Sequence, residues 1–316
     1  MISKTFRIAL TIVLASFALS SAAAATCSNA SLSGTYGFLT SGTAVTGTPV
    51  TSLIQITFDP TTATFTSAET SSHDGVITTT PVNGTYAVDS NCTGRNTVKI
   101  DGQSLHVAFV VTSTGFLSLN ETTGRTIEGP GVKQGFANCT NAGVTGSFGF
   151  EATGVFVAGA PVTGPVAFIG ELKLSVDASG DGVITGDVAG SEDGTIFTFA
   201  EEPVTGTYSV NSDCTGTATI TPKDQSPLNF SFVVVDCGKE MLAIETDADT
   251  VVSGTLVRDD SGDKEPANAN DTDSATGRGA DSRAARANTH ETDRLIASLG
   301  DPNVAFSQQF FSLLLG

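Results

Sequence analysis

Hydrophobic and polar residues alternate along most of this chain with a period of two, the pattern of a β-strand that buries one face. In the segment 228–235, the large apolar residues Leu228, Phe230, Phe232 and Val234 all lie on one face. Short runs of Gly, Asp, Ser and Thr separate such segments and are typical of hairpin turns. The pattern predicts eight strands in the second half of the chain, near residues 146–156, 166–177, 182–190, 204–211, 215–221, 227–236, 239–247 and 250–258.

The two halves of this region repeat each other, since segment 26–138 returns as segment 139–258. The matching motifs are Cys27-Ser28-Asn29-Ala30 with Cys139-Thr140-Asn141-Ala142, Gly34-Thr35-Tyr36 with Gly146-Ser147-Phe148, and Gly84-Thr85-Tyr86 with Gly206-Thr207-Tyr208. Counting onward from these motifs aligns Ile54, Ile56 and Phe58 with Leu172, Leu174 and Val176, and Glu121 with Glu245. A repeat of this length is a whole domain rather than one unit of a solenoid.

The order of the predicted strands determines the expected fold. Neighbouring strands joined by short turns pair as antiparallel hairpins. Eight such strands can close the last onto the first, which removes the two exposed sheet edges. The sequence therefore predicts an all-β protein of two tandem eight-stranded antiparallel up-and-down β-barrels, and a two-sheet sandwich is the alternative.

The start of the chain carries the pattern of a signal peptide. Lys4 and Arg7 precede an apolar run over residues 8–19, and small alanines follow at 23–25. This arrangement predicts a signal peptide over residues 1–25 that is removed after export. Acylation of Cys27 as a lipoprotein is the alternative, but threonine stands before it where a glycine or alanine is usual.

The end of the chain differs in composition from the repeats. Residues 259–291 have hardly a large apolar side chain, so an acidic disordered linker is predicted there. Residues 292–316 carry signals for short helices, the second opened by Asp301 and Pro302. Its apolar stripe consists of Phe306, Phe310, Leu313 and Leu314. This helix either docks on the barrels or contacts a partner or a cell surface.

Charge and hydropathy narrow the partners and the compartment. The chain has 33 acidic and 15 basic residues and a net charge of −18, a field that repels phosphate groups and anionic lipids. Nucleic acid is therefore excluded as a partner. After the signal peptide, no stretch approaches the roughly 20 apolar residues of a membrane-spanning helix. The expectation is a secreted or periplasmic bacterial protein without a transmembrane segment.

Cysteine positions agree with export. Cys27 and Cys92 occupy the places in the first repeat that Cys139 and Cys214 occupy in the second, which predicts one disulfide within each repeat. Cys237 is left over. It stands where the first repeat has Thr114, at a hairpin turn, and is interpreted as an idle thiol, with a reactive or dimer-forming thiol as the alternative.

Two resemblances follow from these motifs. Gly34-Thr35-Tyr36 and Gly146-Ser147-Phe148 resemble the Gly-x-Trp motif on the first strand of lipocalin- and avidin-type barrels, although this chain has no tryptophan. In lipocalins a basic residue near the last strand packs on that tryptophan. The resemblance implies this role for Arg258 in the second repeat and for Lys133 or Gln134 in the first. Segments 206–217 and 232–240 also resemble uncharacterised exported β-meander proteins of soil bacteria, which have no known activity.

Motifs for catalysis and metal binding are sparse. His73, His106 and His290 are isolated, no Gly-x-Ser-x-Gly or phosphate-binding motif is present, and no catalytic residue or cofactor is assigned. Asp177, Ser179 and Asp181 have the spacing of the first ligands of a calcium loop, but Val188 stands where the bidentate glutamate belongs. A hairpin turn explains these residues equally well.

The sequence therefore predicts a non-catalytic exported protein and leaves its role open between classes. One hypothesis is a binding module that holds a small apolar ligand inside a barrel. The candidate lining residues are Tyr36, Phe38, Phe109, Phe148, Phe150, Phe230 and Phe232. The alternative is a structural or adhesive envelope protein whose barrels are filled, and a barrel isomerase or cyclase is a distant third.

Overall fold

The computed structural model describes residues 26–44, 47–100, 103–135, 138–199 and 203–259. Within these ranges the chain forms β-strands, three short 3-10 turns and no α-helix. The strands are β1 (Gly34–Thr43), β2 (Pro49–Asp59), β3 (Thr64–His73), β4 (Val76–Val88), β5 (Thr93–Ile100), β6 (Gln103–Val111), β7 (Gly115–Asn120), β8 (Thr126–Lys133), β9 (Gly146–Phe156), β10 (Gly164–Val176), β11 (Gly182–Glu192), β12 (Thr195–Phe197), β13 (Pro203–Val210), β14 (Thr215–Pro222), β15 (Leu228–Val235), β16 (Glu240–Glu245) and β17 (Thr250–Arg258).

The first barrel is a closed antiparallel meander. Strands β1 to β8 pair in sequence order, and β8 returns to β1 with Lys133 opposite Tyr36 and Val132 opposite Gly37. Inward side chains alternate with outward ones, as the period of two predicts. The predicted eight-stranded barrel is confirmed for this repeat.

The second barrel closes in the same way. The ring runs β9, β10, β11, β13, β14, β15, β16 and β17, and β17 pairs with β9 through Arg258 and Phe148. The short β12 was not predicted. It folds back through Asp193 and Gly194 and extends the far end of β11 rather than joining the ring. The eight ring strands match the predicted ranges within a few residues, because each strand carries the expected alternation.

The repeated motifs meet at one end of each barrel, which explains why both halves keep them. The Asn29 side chain accepts a hydrogen bond from the Val88 amide, and the Asn141 side chain accepts one from the Val210 amide, each at 2.8 Å. The Tyr208 hydroxyl donates a hydrogen bond to the backbone carbonyl of Asn141 at 2.9 Å, and the Tyr86 hydroxyl donates one to the backbone carbonyl of Asn29. The segment before each first strand is thereby fixed across the end of its barrel.

The disulfides lie at these same ends. Cys27 is bonded to Cys92 and Cys139 to Cys214, which is the pairing that the repeat predicts. Both bridges join the segment before the first strand to the turn that precedes the fifth strand of the ring. Two disulfides are consistent with an extracellular or periplasmic protein.

The sheet register corrects two alignments made by counting. Tyr36 lies opposite Ile56, and its equivalent Phe148 lies opposite Leu172, so Ile56 corresponds to Leu172 rather than to Leu174. By the same register Phe58 corresponds to Leu174, and Val176 is not its equivalent. The extra residues of the second repeat are divided between the β9–β10 hairpin and the turn after β10, where alternation alone does not locate them.

The second correction concerns a glutamate. Val107 lies opposite Asn120, and its equivalent Phe230 lies opposite Glu245. Glu245 therefore corresponds to Asn120 and not to Glu121. This difference of one residue changes the face of the strand, because successive side chains of a strand point to opposite sides.

The two barrels pack against each other within one compact unit of the chain. From the first barrel, Leu39, Leu53 and Val132 contribute outward side chains to a shared apolar cluster. From the second, the cluster receives the outward side chains of β15 and β16, namely Val233, Val235, Leu242 and Ile244. Ser72 and Gln55 of the first barrel donate hydrogen bonds to the carbonyls of Thr250 and Asp213 in the second.

Gly37 permits this close approach. A Cβ atom at Gly37 would lie 2.5 Å from Cγ1 of Val235, closer than side chains approach one another. The apolar part of the contact is thus formed by β1, β2 and β8 of the first barrel and by β15 and β16 of the second, and β3 and β17 add a hydrogen bond beside it.

The predicted signal peptide 1–25 and the predicted helical segment 292–316 lie outside the described residues, as does the predicted linker 259–291 apart from Asp259. Among the residues that the structure describes, no helix is long and apolar enough to cross a membrane.

Candidate ligand-binding site

The interior of the first barrel is filled by aromatic rings. Phe116 contacts Tyr36, Phe38, Phe58 and Phe109, with ring centroids 5.8, 5.2, 5.8 and 6.2 Å away. Tilted and edge-on ring contacts of this kind add to the stabilisation that burial provides. Tyr36, Phe38 and Phe109, which the sequence suggested as ligand contacts, therefore belong to a packed core.

Gly131 makes room for the central ring. A Cβ atom at Gly131 would lie 2.3 Å from ring atoms of Phe116, which is the residue opposite it on β7. In the second barrel the equivalent pair is Leu256 and Met241. At these two positions the first repeat has a large ring opposite a glycine, whereas the second repeat has two side chains of intermediate size.

The second barrel has smaller side chains where the first has rings. By the sheet register, Phe58, Phe65 and Phe116 are replaced by Leu174, Ile184 and Met241. These replacements leave space unfilled. Two adjoining cavities lie inside the second barrel, with about 50 and 60 Å³ available to the centre of a water-sized sphere.

The two cavities follow one another along the barrel axis. The inner cavity lies beside Leu174, Tyr208 and Met241, and the outer one extends to Phe197 and Gln225 at the far end. Both are bounded by a common set of residues: Phe150, Ala152, Leu172, Ile220, Phe230, Glu245 and Val252. A ligand that displaces these side chains slightly would occupy both spaces at once.

The sequence-predicted contacts of the second repeat fall differently around this space. Phe150 and Phe230 line both cavities, and Phe232 lines the inner one. Phe148 is completely buried and lies at the closed end of the barrel, beneath Arg258. It supports the closed end and does not border the cavities.

Glu245 is the buried carboxyl group that borders both cavities, and the sequence analysis missed it. Its side chain is 2% exposed, lines both cavities, and its Oε1 atom has no hydrogen-bond partner. Such a group is costly to bury without a partner. Period two places Glu245 on the same face as Met241 and Ala243, so the alternation of β16 contained the signal. Alignment of the two repeats by counting residues concealed this position, because it paired Glu245 with the exposed Glu121.

The charge state of Glu245 follows from its surroundings. Burial, with the negative charges of Asp247 and Glu192 as smaller causes, raises the pKa of its carboxyl group to about 8. Glu192 itself borders the outer cavity. Among the described residues, no lysine, arginine or histidine lines either space. The cavities are therefore apolar with a negative potential.

Glu245 makes the stability of the fold depend on pH. Because its folded-state pKa is about 8 and its ordinary value 4.5, the folded chain holds a proton that the unfolded chain loses in between. Glu245→Gln should therefore be as stable as the wild type near pH 4. As pH rises through the window from 4.5 to 8, the variant should gain about 1.4 kcal/mol per pH unit relative to the wild type. Urea unfolding of both proteins at several pH values measures this difference, and a constant difference would show that the carboxyl titrates normally.

In each barrel a basic residue lies over an aromatic ring at the end where the first strand begins. The Arg258 guanidinium lies 5.0 Å from the ring centroid of Phe148 and donates hydrogen bonds to the carbonyls of Thr145 and Gly238. In the first barrel, Nζ of Lys133 lies 5.8 Å from the centroid of Tyr36. The roles that the lipocalin-type resemblance implied for Arg258 and Lys133 are therefore present.

The other sequence candidates lie elsewhere. Asp177 accepts hydrogen bonds from the amides of Ser179 and Asp181, so this segment forms the hairpin turn between β10 and β11. Within the described ranges, no group of His, Cys, Asp and Glu residues is arranged to hold a metal ion. Cys237 is exposed and outside both disulfides, on the surface next to Gly135.

Comparison with known proteins adds little to this geometry. No family model matches the chain, and no curated protein matches it. One solved structure that resembles it is a protein of unknown function from the DUF3598 family of Nostoc punctiforme, with 10% identity and a TM-score of 0.22. The match covers 73% of this chain and 97% of the other. A similarity at this level carries no property across, and nothing in the comparisons supports the resemblance to exported proteins of soil bacteria.

Proposed function

We propose that the protein is a non-catalytic exported binding protein whose second barrel holds a small, mainly apolar ligand. One observation carries this proposal: the second barrel encloses apolar space at the positions where the first is filled with rings. The first barrel, in this proposal, is a rigid companion that supports the second. The proposal thus gives the structural role, which the sequence analysis considered as the alternative, to the first barrel and the ligand-binding role to the second.

The size of the cavities limits the ligand. Pockets for drug-sized molecules usually measure about 300–1,000 Å³, whereas an apolar cavity of about 150 Å³ accepts benzene. The cavities, of about 50 and 60 Å³, are each smaller than this, so a single ring or a short alkyl chain fits only if it spans both and displaces the side chains between them slightly, and a sterol or a long fatty acid is too large.

The polar group of the ligand follows from Glu245. The unpartnered Oε1 atom and the nearby Asp247 and Glu192 favour a hydrogen-bond donor with positive charge, such as a primary amine. A ligand carboxylate would be repelled by the same groups. At neutral pH an ammonium group would displace the proton of Glu245, so affinity for amines should increase as pH rises towards 8.

The proposal is tested with two probes that share one ring, benzylamine and toluene, of which toluene lacks the amino group and is slightly smaller. Isothermal titration should show that the purified protein binds both, and that benzylamine binds more tightly. Met241→Phe places the ring of the first barrel into the inner cavity and should abolish binding of both probes. Met241→Leu adds no volume and should preserve binding. If neither probe binds the wild type, the binding proposal is wrong.

The role of the carboxyl group is tested separately. Glu245→Gln should reduce the affinity for benzylamine by about 10- to 100-fold, as expected for a hydrogen bond to a charged group, and leave toluene unaffected. Glu121→Gln, on the surface of the first barrel, is the matched control and should change neither affinity. If toluene binds but the preference for benzylamine is absent, the cavity is a binding site without the proposed polar recognition.

A further inference from the structure

Exposed apolar side chains are concentrated on two faces of the protein. Ten large hydrophobic residues are exposed within the described part of the chain. Three of them, Val110, Leu117 and Leu119, lie on the outer surface of β6 and β7, where they are between 47% and 57% exposed. Val110 is directly opposite Leu117 on the neighbouring strand, so the three form one patch, called here the β6–β7 face.

The β6–β7 face is equivalent to a surface that is buried in the second barrel. The opposed pair Val110 and Leu117 is equivalent to the opposed pair Val233 and Leu242 of the second barrel. Leu119 is equivalent to Ile244. Val233, Leu242 and Ile244 pack against the first barrel together with Val235, whose equivalent in the first repeat is the exposed Thr112. The first barrel therefore presents to solvent most of the apolar surface that the second barrel uses for docking.

The complementary surface is also repeated. The second barrel docks on Leu39, Leu53 and Val132, with Gly37 permitting the close contact. By the register, the equivalents of Gly37, Leu53 and Val132 in the second barrel are Gly149, Ile169 and Val257. These three residues define the β9–β10–β17 face.

The β9–β10–β17 face is open in a single chain. Ile169 and Val257 are 56% and 55% exposed, and a Cβ atom at Gly149 would meet nothing closer than the Val257 carbonyl oxygen at 4.0 Å. A Cβ atom at Gly37, by contrast, would collide with Val235. The glycine that makes room for a barrel in the first repeat thus faces solvent in the second.

We propose that these two faces bind each other between copies of this chain, reproducing the contact that joins the two barrels within one chain. The occupant of the β9–β10–β17 face of one copy is the β6–β7 face of the next. Half of the exposed large hydrophobic side chains are accounted for by this one contact. Both faces are of the kind that already joins the two barrels within one chain.

The contact joins different faces of the two copies, so a pair of copies does not close on itself, and the ends of a longer assembly meet only if the rotation between successive copies closes a ring. Each added copy leaves one β6–β7 face and one β9–β10–β17 face free at the two ends, which gives an open head-to-tail chain of barrels. Glu151 stands in place of Leu39 in this contact, and Arg95 borders the β6–β7 face. The contact between copies is therefore more polar than that within the chain, and its association is reversible.

The test uses two charge substitutions and their mixture. Sedimentation velocity of the wild type should show an average mass that increases with concentration. Leu119→Glu disables the β6–β7 face and Ile169→Glu disables the β9–β10–β17 face, so each variant alone should remain a monomer. An equimolar mixture retains one intact face of each kind and should form a dimer and nothing larger. Ile196→Glu changes an exposed residue outside both faces and should assemble like the wild type.

Other outcomes would overturn the proposal. Equal far-ultraviolet spectra and melting temperatures establish that the variants are folded. A wild type that stays monomeric at every concentration, or variants that associate as it does, would show that these faces do not bind each other. If the wild type is monomeric and removal of residues 302–316 permits association, the occupant is the chain's own C-terminal segment. A mixture of the two variants that stays monomeric is equally contrary to a head-to-tail contact.

Discussion

Replacing Phe116 with alanine is expected to lower the free energy of unfolding by about 3–5 kcal/mol. The ring is 3% exposed and contacts four other rings, so its removal opens a cavity that those rings cannot close without breaking their mutual contacts. Chemical denaturation followed by circular dichroism measures the loss. The first barrel should account for all of it, since Phe116 does not contribute to the cluster between the barrels.

Met241→Ala in the second barrel is the matched comparison. Met241 occupies the equivalent position but already borders a cavity, so its truncation enlarges existing space and removes fewer contacts. A loss near the lower end of the range of about 2–5 kcal/mol is expected. If both substitutions cost the same, the interiors of the two barrels are equally well packed, and the contrast that supports the ligand proposal disappears.

Removal of the disulfide between Cys139 and Cys214 is the second large effect. A bridge between residues separated by 75 positions restricts the unfolded chain, and the chain-entropy model assigns about 4 kcal/mol to a loop of this length. The double variant Cys139→Ser and Cys214→Ser should lose about this much stability in urea unfolding. The Cys27–Cys92 bridge, with a separation of 65, should contribute a similar amount.

Cys237→Ser provides the control for this prediction. Cys237 is exposed and bonded to no other cysteine, so its replacement should change stability by no more than about 0.5 kcal/mol. A large loss on replacing Cys237, or a negligible one on removing the second bridge, would contradict the assignment. Peptide mapping of the unreduced protein should recover each bridge within its own repeat.

The agreement between sequence and fold rests on the alternation of the strands. Leu228 to Val235 predicts a strand because one face is apolar at every second position, and β15 has these bounds. The hairpin turns and paired cysteines add independent signals. Errors arose where the chain has additional residues in turns, as after β10, because alternation defines a face but not a pairing partner. The short β12 was missed because three residues are too few to show a period.

The candidate site was predictable in kind and not in detail. Large inward residues such as Phe150 and Phe230 could be recognised from their period, and they line the cavities. The similar residues Tyr36 and Phe109 fill the first barrel instead. Whether an inward phenylalanine borders a cavity or fills it depends on the residues opposite, and those are known only when the strands are paired.

The sequence by itself determined the repeat, the all-β architecture and the pairing of four cysteines, and it favoured closed barrels over a sandwich, because these follow from local periodicity and from the correspondence of two copies. The tertiary structure alone decided that one barrel is filled with rings and that the other contains two small cavities. It also decided that Glu245 is buried without a partner, and that two faces used inside the chain remain open outside it. These properties depend on which side chains meet across strands, and packing between residues far apart in sequence leaves no periodic trace in the chain.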